Sequence, residues 1–318
     1  MTGKVKNNNT YTDKLLSWMK IIRIQFYPMT LISYSLGTAA AFVLSGNFNL
    51  QAYFEGYIVL FLIELLTILC NEYFDYETDK LNKNFSPYTG GARMLVEGKI
   101  SHGEIKTAAA FVLAFITIGS FVLLKSSPAA SFRPVLIMIL VSLVLGVGYT
   151  VPPLKFCYRG LGELIVSTTH SLVVIMCGFV FQEGRWNNSL PWLFSIPLFF
   201  AVMGAITLAG IPDYRADLTV SKRTISVLLG PRRAALLSIV FTAFAAVAAL
   251  LLWYFEIISG YAGAALLLVL CHAGVLWLNV YRLIKSNDFD RRINSTMQIA
   301  LGYIIWFGVI PLIYIVLK

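Results

Sequence analysis

Long apolar stretches alternate with short polar segments along almost the whole chain. Three segments, 24–50, 186–212 and 257–281, contain no Asp, Glu, Lys or Arg. A helix needs about 20 mostly apolar residues to cross the hydrocarbon core of a bilayer. Windows of that length predict nine membrane-spanning helices, at about 21–44, 52–72, 107–125, 134–152, 162–181, 190–211, 234–255, 260–282 and 297–317.

The length of these stretches favours helices over membrane β-strands, which are about 10 residues long and alternate strictly between apolar and polar positions. The pattern therefore predicts an all-α, polytopic membrane protein built as a nine-helix bundle. Residues 1–20 are polar enough for a short cytoplasmic N-terminal arm, and residues 21–318 form a single transmembrane domain.

Composition agrees with this fold class. Of the 318 residues, 58% are hydrophobic and 13% are charged, and the mean hydropathy is +0.75. Because a soluble domain carries about 25% charged residues, a soluble enzyme and a disordered chain are excluded. The four cysteines lie far apart and no His has metal-ligand spacing, so neither a disulfide framework nor a zinc site is expected.

The basic residues predict the orientation of the bundle. With nine spans, 21 of the 25 Lys and Arg residues fall on the side that holds the N-terminus. The opposite side keeps Lys125, Arg133, Arg185 and Lys318. Since loops rich in Lys and Arg stay in the cytoplasm, that first side is predicted to be cytoplasmic. The net charge of +9 is thus a topology signal and does not indicate a nucleic-acid partner.

Two acidic motifs follow predicted spans on the cytoplasmic side. Asn71, Asp75 and Asp79 are spaced by four residues, so they share one face of a helix. Asp213 and Asp217 have the same spacing at the end of the sixth span, and Lys222 follows them. Carboxylates near a bilayer are costly, so a cation is expected to offset them.

Hard oxygen ligands suit Mg²⁺, which proteins usually hold with one or two carboxylates plus substrate phosphates. We therefore interpret Asp75, Asp79, Asp213 and Asp217 as a clamp for Mg²⁺ and a diphosphate. Arg93 lies beside Gly90 and Gly91, which allow close backbone approach to an anion. Glu64 lies seven residues before Asn71 on the same helix face and is a candidate cavity residue.

At these motifs the chain resembles the UbiA superfamily of intramembrane prenyltransferases. The resemblance is carried by NEYFDYETD (71–79), GGARMLVEG (90–98), YTVPPLKFCYRGLGE (149–163), and DYRAD (213–217) with SKRT (221–224). It implies transfer of a polyprenyl group from polyprenyl diphosphate to an aromatic acceptor. The details are most similar to the menaquinone branch, whose acceptor is 1,4-dihydroxy-2-naphthoate.

The resemblance and the charges together give a set of site predictions. Asp75, Asp79, Asp213 and Asp217 are the catalytic metal ligands, and Tyr149 stabilises an allylic cation with its ring. The expected substrate-binding residues are Arg23, Asn71, Arg93, Lys155 and Lys222. His170 and His272, single residues in apolar spans, are expected to make hydrogen bonds in the core.

Other interpretations remain open. A transporter of an anionic lipid also uses paired Asp residues, although its site usually lies near the bilayer midplane. An alcohol phosphatidyltransferase would have a single compact Asp cluster and fewer spans, and soluble prenyl synthases lack the nine spans. Within the family, the acceptor could instead be a phenolic acid or geranylgeranylglyceryl phosphate. No sequence feature calls for an obligatory protein partner.

The predicted orientation can be tested by labelling. A cysteine introduced at Ser86, in the loop after the second span, is expected to react with a membrane-impermeant thiol reagent only after the membrane is opened. Labelling of this position in intact cells would reverse the topology derived from the basic residues.

Overall fold

The computed structural model describes residues 11–86, 88–127, 131–286, 289 and 293–317. All regular elements in these residues are helical, and fifteen of them are α-helices. They are α1 (Tyr11–Ile22), α2 (Tyr27–Ser45), α3 (Leu50–Phe74), α4 (Tyr76–Leu81), α5 (His102–Ser126), α6 (Phe132–Gly148), α7 (Gly162–Thr168), α8 (Val174–Glu183), α9 (Leu190–Ala209), α10 (Tyr214–Thr219), α11 (Ile225–Leu229), α12 (Pro231–Tyr254), α13 (Gly260–Ala265), α14 (Leu267–Ser286) and α15 (Ile293–Val316).

Within the described residues, eight helical segments are long and apolar enough to cross a membrane. They are Thr12–Ser45, Leu50–Phe74, His102–Ser126, Gly162–Glu183, Leu190–Ala209, Pro231–Tyr254, Gly260–Ser286 and Ile293–Val316. Helix α6, of 17 residues, is apolar but shorter. Together these nine segments match the nine predicted spans in order and position.

Two of the differences from the predicted boundaries arise where the backbone turns. The fourth span was expected to reach residue 152, but α6 ends at Gly148, because the chain turns there towards Pro152 and Pro153. The first span is interrupted at Arg23, which adopts a left-handed conformation with φ of 53°. A short 3₁₀ turn follows before α2 begins, with Pro28 in its first turn.

Part of the predicted N-terminal arm is helical. Helix α1 buries Ser17 and Ile21, and Lys14 pairs with Glu104 at the start of α5. Residues 1–10 of the predicted arm lie outside the described residues.

Small residues allow the central helices to approach closely. Helix α2 packs on α8, and α9 packs on α12. A Cβ atom on Gly37 of α2 would lie 1.9 Å from the carbonyl oxygen of Ile175, and one on Gly178 of α8 would lie 2.1 Å from that of Tyr34. Both contacts are to backbone, so neither can be relieved by moving a side chain. In a bilayer, where helix association depends on packing, these glycines fix the distance between α2 and α8.

The two motif-bearing helices end beside each other. Helix α3 leads into α4 across Asp75, and α9 leads through a turn to α10. Helices α4 and α10 are in contact. The first and second acidic motifs, far apart in sequence, therefore face each other at one end of the bundle.

Gly37→Ala is expected to destabilise the bundle, because the new methyl group meets backbone that cannot yield; overpacking of this kind costs about 1–3 kcal/mol. Gly274→Ala is the matched control, since that helical glycine has open space around its Cβ position. The control should be neutral or stabilising by up to about 1 kcal/mol. Thermal unfolding of the purified proteins in detergent measures both, and equal melting temperatures for the two variants would contradict the packing argument.

Candidate active site

Both acidic motifs open onto one cavity of about 420 Å³. Of the ten predicted site residues, eight line it: Arg23, Asn71, Asp75, Asp79, Tyr149, Asp213, Asp217 and Lys222. The cavity continues from this polar end into a part lined by apolar side chains such as Leu145, Val202 and Ile206. A single chamber therefore offers a charged end and an apolar end.

The first motif keeps helical spacing across a local break. Helix α3 ends at Phe74, yet the Asp75 amide donates to the Asn71 carbonyl at 2.9 Å, and the Asp79 amide donates to the Asp75 carbonyl at 2.8 Å. Asn71, Asp75 and Asp79 consequently share the face that lines the cavity, as their spacing predicts. Glu77 is exposed on the other side.

The second motif combines a half-buried and a fully buried aspartate. Asp213 precedes α10 and is half-buried, whereas Asp217 lies within α10 with 2% of its surface exposed. The Asp217 amide donates to the Asp213 carbonyl at 2.8 Å, so both side chains remain on the cavity side of this short helix.

Two side chains connect the motifs directly. Asn82 donates through Nδ2 to Oδ1 of Asp213 at 2.7 Å. Nζ of Lys222 lies 3.2 Å from Oδ2 of Asp75 and 3.9 Å from Oδ1 of Asp217. Lys222 thus places one positive charge between the two motifs. Its position shortly after the second motif in the sequence had suggested that it offsets the charge of the aspartates.

Further hydrogen bonds orient the carboxylates. The Tyr158 hydroxyl donates to Oδ1 of Asp75 at 2.8 Å, and the Thr224 hydroxyl donates to Oδ2 of Asp217 at 3.3 Å. The Thr150 hydroxyl donates to Oδ1 of Asn71 at 2.9 Å, which fixes the orientation of that amide. Thr150 and Tyr158 lie in the loop after α6, and Thr224 lies between α10 and α11.

The glycine-rich loop packs against the first motif. Gly91 has φ of 71°, and a Cβ atom at this position would lie 2.1 Å from Oδ2 of Asp79. Glu72, buried beside Asn71, accepts hydrogen bonds from the amides of Ala92 and Leu95 at 3.0 and 3.4 Å. Glu72 on α3 therefore fixes the position of this loop by hydrogen bonds, and the loop residue that contacts the Asp79 carboxylate is a glycine.

Two predicted ligands lie elsewhere. Arg93 was expected to contact the diphosphate or the acceptor, but its Nη1 donates to the carbonyls of Asp79 and Asn82, at 2.6 and 3.1 Å. Its guanidinium stacks over Phe85. Arg93 is therefore occupied in holding its own loop and does not line the cavity.

Lys155 also does not line the cavity. Its Nζ lies 4.8 Å from the centre of the ring of Tyr158, whose hydroxyl donates to Asp75. The left-handed backbone of Lys155, with φ of 43°, turns the chain after Pro152 and Pro153. The contact that the structure gives Lys155 is the cation–π contact with the Tyr158 ring.

Sequence reasoning missed several residues at the site. Asn82, Tyr158 and Thr224 touch the motif carboxylates, and Glu72 holds the loop. Glu163 lines the cavity, accepts from the Ile225 amide at 2.7 Å and keeps Oε2 buried without a hydrogen bond. Tyr158 and Glu163 stand within the quoted segment 149–163, and an acid such as Glu72 inside an apolar run is itself a signal.

Burial dominates the electrostatics of the aspartates. It raises the pKa of Asp79 to about 8, and the charges of Asp75 and Glu72 add to the rise. Burial also raises the pKa of Asp213 to about 6 and that of Asp217 to about 7, although Lys222 opposes both shifts. Burial lowers the pKa of Lys222, but Asp75 and Asp217 raise it well above its usual value. The positive charge of Lys222 therefore does not offset the effect of burial on the pKa of Asp79.

The donor set fits a hard divalent cation. All candidate ligands are oxygens, and Oδ1 of Asp217 is buried without a hydrogen-bond donor. Among the described residues, no three acidic, His or Cys side chains converge on one point. Oxygen ligands suit Mg²⁺, which keeps several waters and takes further ligands from substrate phosphates.

The model of the UbiA prenyltransferase family matches residues 30–302, which include both acidic motifs and the loops between them. The chain belongs to the UbiA prenyltransferase family. It is an enzyme of the prenyltransferase type, and with its many apolar helices it is an integral, multi-pass membrane protein.

Family members with different acceptors are similar to this chain. The digeranylgeranylglyceryl phosphate synthase of Saccharolobus solfataricus is 26% identical over 221 residues, 68% of this chain and 70% of the relative. The 1,4-dihydroxy-2-naphthoate octaprenyltransferase of Bacillus subtilis is 32% identical over 174 residues, 54% of this chain and 53% of the relative. This second match therefore covers about half of this chain and about half of the Bacillus subtilis relative.

The fold of the family is also found here. A UbiA homolog from Archaeoglobus fulgidus, solved with GPP and Mg²⁺ bound, superposes with a TM-score of 0.56 at 16% identity, over 92% of this chain and 99% of that protein. The predicted all-α membrane bundle of the UbiA type is therefore confirmed.

Gly91→Ala tests whether the glycine-rich loop controls the position of Asp79. The new methyl group would overlap the Asp79 carboxylate, so we expect prenyl transfer to fall by at least about tenfold, since displacing one charged ligand from a site costs well over 1.4 kcal/mol. Gly98→Ala carries the same backbone strain at positive φ but meets nothing within 4 Å. Comparable turnover of the two variants, at equal protein stability, would contradict the assignment.

Proposed function

We propose that this chain transfers a polyprenyl group from polyprenyl diphosphate to 1,4-dihydroxy-2-naphthoate in a Mg²⁺-dependent reaction. The observation that carries the proposal is the meeting of two aspartate motifs and Lys222 at the charged end of a chamber whose other end is apolar. A prenyl diphosphate has the same two-ended chemistry, with a charged head and a hydrocarbon tail.

The charged end is proposed to bind the diphosphate. Asp75, Asp79, Asp213 and Asp217 would hold Mg²⁺, which when bound supplies positive charge to the diphosphate leaving group. Lys222 would add a direct ion pair, and Arg23 and Asn71 line the same end. The Archaeoglobus fulgidus homolog was solved with GPP and Mg²⁺, which supports this pairing of substrate and metal in the fold.

Stabilising the leaving group is the main catalytic contribution of these residues. As the bond between C1 and oxygen lengthens, charge develops on the diphosphate, and positive groups already in position stabilise it without reorganisation. The allylic cation that forms is stabilised by the ring face of Tyr149, by about 0.5–2 kcal/mol. Apolar walls exclude the water that would otherwise capture it. An electron-rich ring carbon of the acceptor then attacks C1 and loses its proton.

The identity of the acceptor is the most specific part of the proposed function. The Bacillus subtilis relative supports a naphthoate, whereas the Saccharolobus solfataricus relative favours geranylgeranylglyceryl phosphate as the second candidate. A transporter of an anionic lipid is disfavoured, because the aspartates gather at the ends of α3 and α9 and not at their centres. The distribution of basic residues supports an active site that faces the cytoplasm.

Asp75→Asn or Asp213→Asn is expected to lower turnover by at least about 100-fold. Each change keeps the size of the side chain but removes a charge that the cation needs, and losses of about 3 kcal/mol follow from removing one such interaction. Glu77→Gln is the matched control, because Glu77 belongs to the same motif but is exposed and lies outside the cavity. Steady-state rates at saturating substrates measure the effect.

The aspartates are expected to act as one unit. Combining Asp75→Asn with Asp213→Asn should therefore cost scarcely more than the poorer single change. If Glu77→Gln in folded protein proves as damaging as Asp75→Asn, the assignment of the motif face is wrong.

The acceptor can be identified with purified protein, Mg²⁺ and geranylgeranyl diphosphate. Four acceptors separate the options: 1,4-dihydroxy-2-naphthoate, hydroxybenzoate, homogentisate and geranylgeranylglyceryl phosphate. Mass spectrometry is expected to find prenylated naphthoate as the main product, and none when a chelator is in excess. A main product from another acceptor would overturn the naphthoate assignment, and full activity in chelator would overturn the metal dependence.

A further inference from the structure

The apolar part of the chamber contains two polar side chains that the mechanism above does not use. Glu64 on α3 and His170, between α7 and α8, both line the cavity. Glu64 precedes Asn71 by seven residues, which places it about 10 Å further along the helix axis. The pair therefore lies well away from the aspartate cluster, among residues such as Thr67, Ile68 and Leu145.

His170 offers a hydrogen-bond acceptor to the cavity. Its Nδ1 lies 3.0 Å from the carbonyl oxygen of Val166, and because a carbonyl can only accept, Nδ1 carries the proton. In the neutral ring, Nε2 then keeps a lone pair, and no described residue donates to it. His272 differs, since it uses Nε2 on the Ile299 carbonyl and accepts at Nδ1 from Trp306. The expected core hydrogen bonding is complete for His272 and only half complete for His170.

Glu64 is similarly half satisfied. The buried hydroxyl of Thr30 donates to its Oε2 at 2.7 Å. Among the described residues this is its one hydrogen bond, so Oε1 stays available to a ligand in the chamber. Polar atoms in apolar surroundings are costly when they lack a partner. Oε1 of Glu64 or Nε2 of His170 can therefore accept a hydrogen bond from a ligand that carries a donor.

The backbone at His170 is also unusual. Thr169–Val173 form a π-helical turn inside the span Gly162–Glu183. Such turns occur frequently at functional sites. Here Thr169 and His170, consecutive residues of the turn, both line the chamber.

We propose that Glu64 and His170 form a subsite that binds a hydroxyl group of the prenyl acceptor. The inference rests on the proposed function, in which a hydroxyl-bearing aromatic ring shares the chamber with a prenyl diphosphate. A prenyl tail has no hydrogen-bond donor and so can donate to neither side chain, whereas an aromatic hydroxyl can donate a hydrogen bond to one of them. The subsite thus selects acceptors that carry a hydroxyl and orients the ring relative to the aspartate cluster.

The test compares the binding of 1-naphthol with that of 1-methoxynaphthalene, which lacks the donor. Calorimetric titration of the purified full-length chain in detergent, without metal or prenyl diphosphate, is expected to give at least tenfold tighter binding of 1-naphthol, because hydrogen bonds to such acceptors contribute a factor of this size. Equal affinity for the two compounds would overturn the proposal.

Two variants test whether the preference for 1-naphthol over 1-methoxynaphthalene depends on Glu64 and His170. Glu64→Gln keeps its carbonyl oxygen on Thr30 and turns an amide donor towards the chamber, so the preference for 1-naphthol should fall by about tenfold. His170→Phe should lower it as well. Glu55→Gln is the matched control, since Glu55 lies on the same helix but bonds Gln51 and Ser126 outside the cavity, and it should keep the wild-type ratio. A wild-type ratio in both cavity variants would overturn the subsite.

The two proposals fail in different ways. The binding ratio is measured without any substrate of the transfer reaction, so a chain that prenylates no naphthoate can still show it. Conversely, transfer to naphthoate with an unchanged ratio in Glu64→Gln and His170→Phe overturns the subsite alone.

Discussion

Four aspartates share one buried site, and the rest of this structure is arranged around the cost of bringing them together. Among the described residues, Lys222 is the cation within ion-pair distance of these carboxylates, and it serves Asp75 and Asp217 at once. Donors from Asn82, Tyr158 and Thr224 satisfy individual oxygens. The pKa of Asp79 is still raised to about 8, first by burial and then by its acidic neighbours. The site therefore remains short of positive charge, which a metal ion and its diphosphate complex can supply.

The same constraint explains the loops at this end of the bundle. The loop after α4 touches the Asp79 carboxylate through Gly91, where no larger residue fits, and it is held by Glu72 and by Arg93. The loop after α6 brings Tyr158 to Asp75. Because each loop contributes a donor or a close contact, the aspartates are fixed by several elements of the bundle together. Fixed charges of this kind stabilise a leaving group without reorganisation.

The sequence predicted those features that depend on local periodicity. Runs of apolar residues located the spans, and spacing by four residues put Asn71, Asp75 and Asp79 on one face. It could not predict contacts between distant segments, such as those of Asn82 with Asp213 or Tyr158 with Asp75, because no local pattern encodes them. Arg93 and Lys155 illustrate the limit: their positive charges suggested ligands, but their backbone conformations direct them to the loop and to Tyr158. The sequence also did not predict the break in the helix at Arg23, because the apolar run continues across that residue.

The two aspartate motifs are proposed to bind the metal and the diphosphate together. Mg²⁺ is usually held by one or two carboxylates plus substrate phosphates, so the metal and the diphosphate should each supply ligands or charge for the other, and their binding should be reciprocally coupled. Calorimetric titration with Mg²⁺ and a non-reactive prenyl thiodiphosphate, each alone and then combined, measures this coupling. We expect weak binding of either one alone and at least about tenfold tighter binding of each in the presence of the other, a coupling of about 1.4 kcal/mol or more. Equal affinity for the diphosphate analogue with Mg²⁺ and with excess chelator would contradict the account.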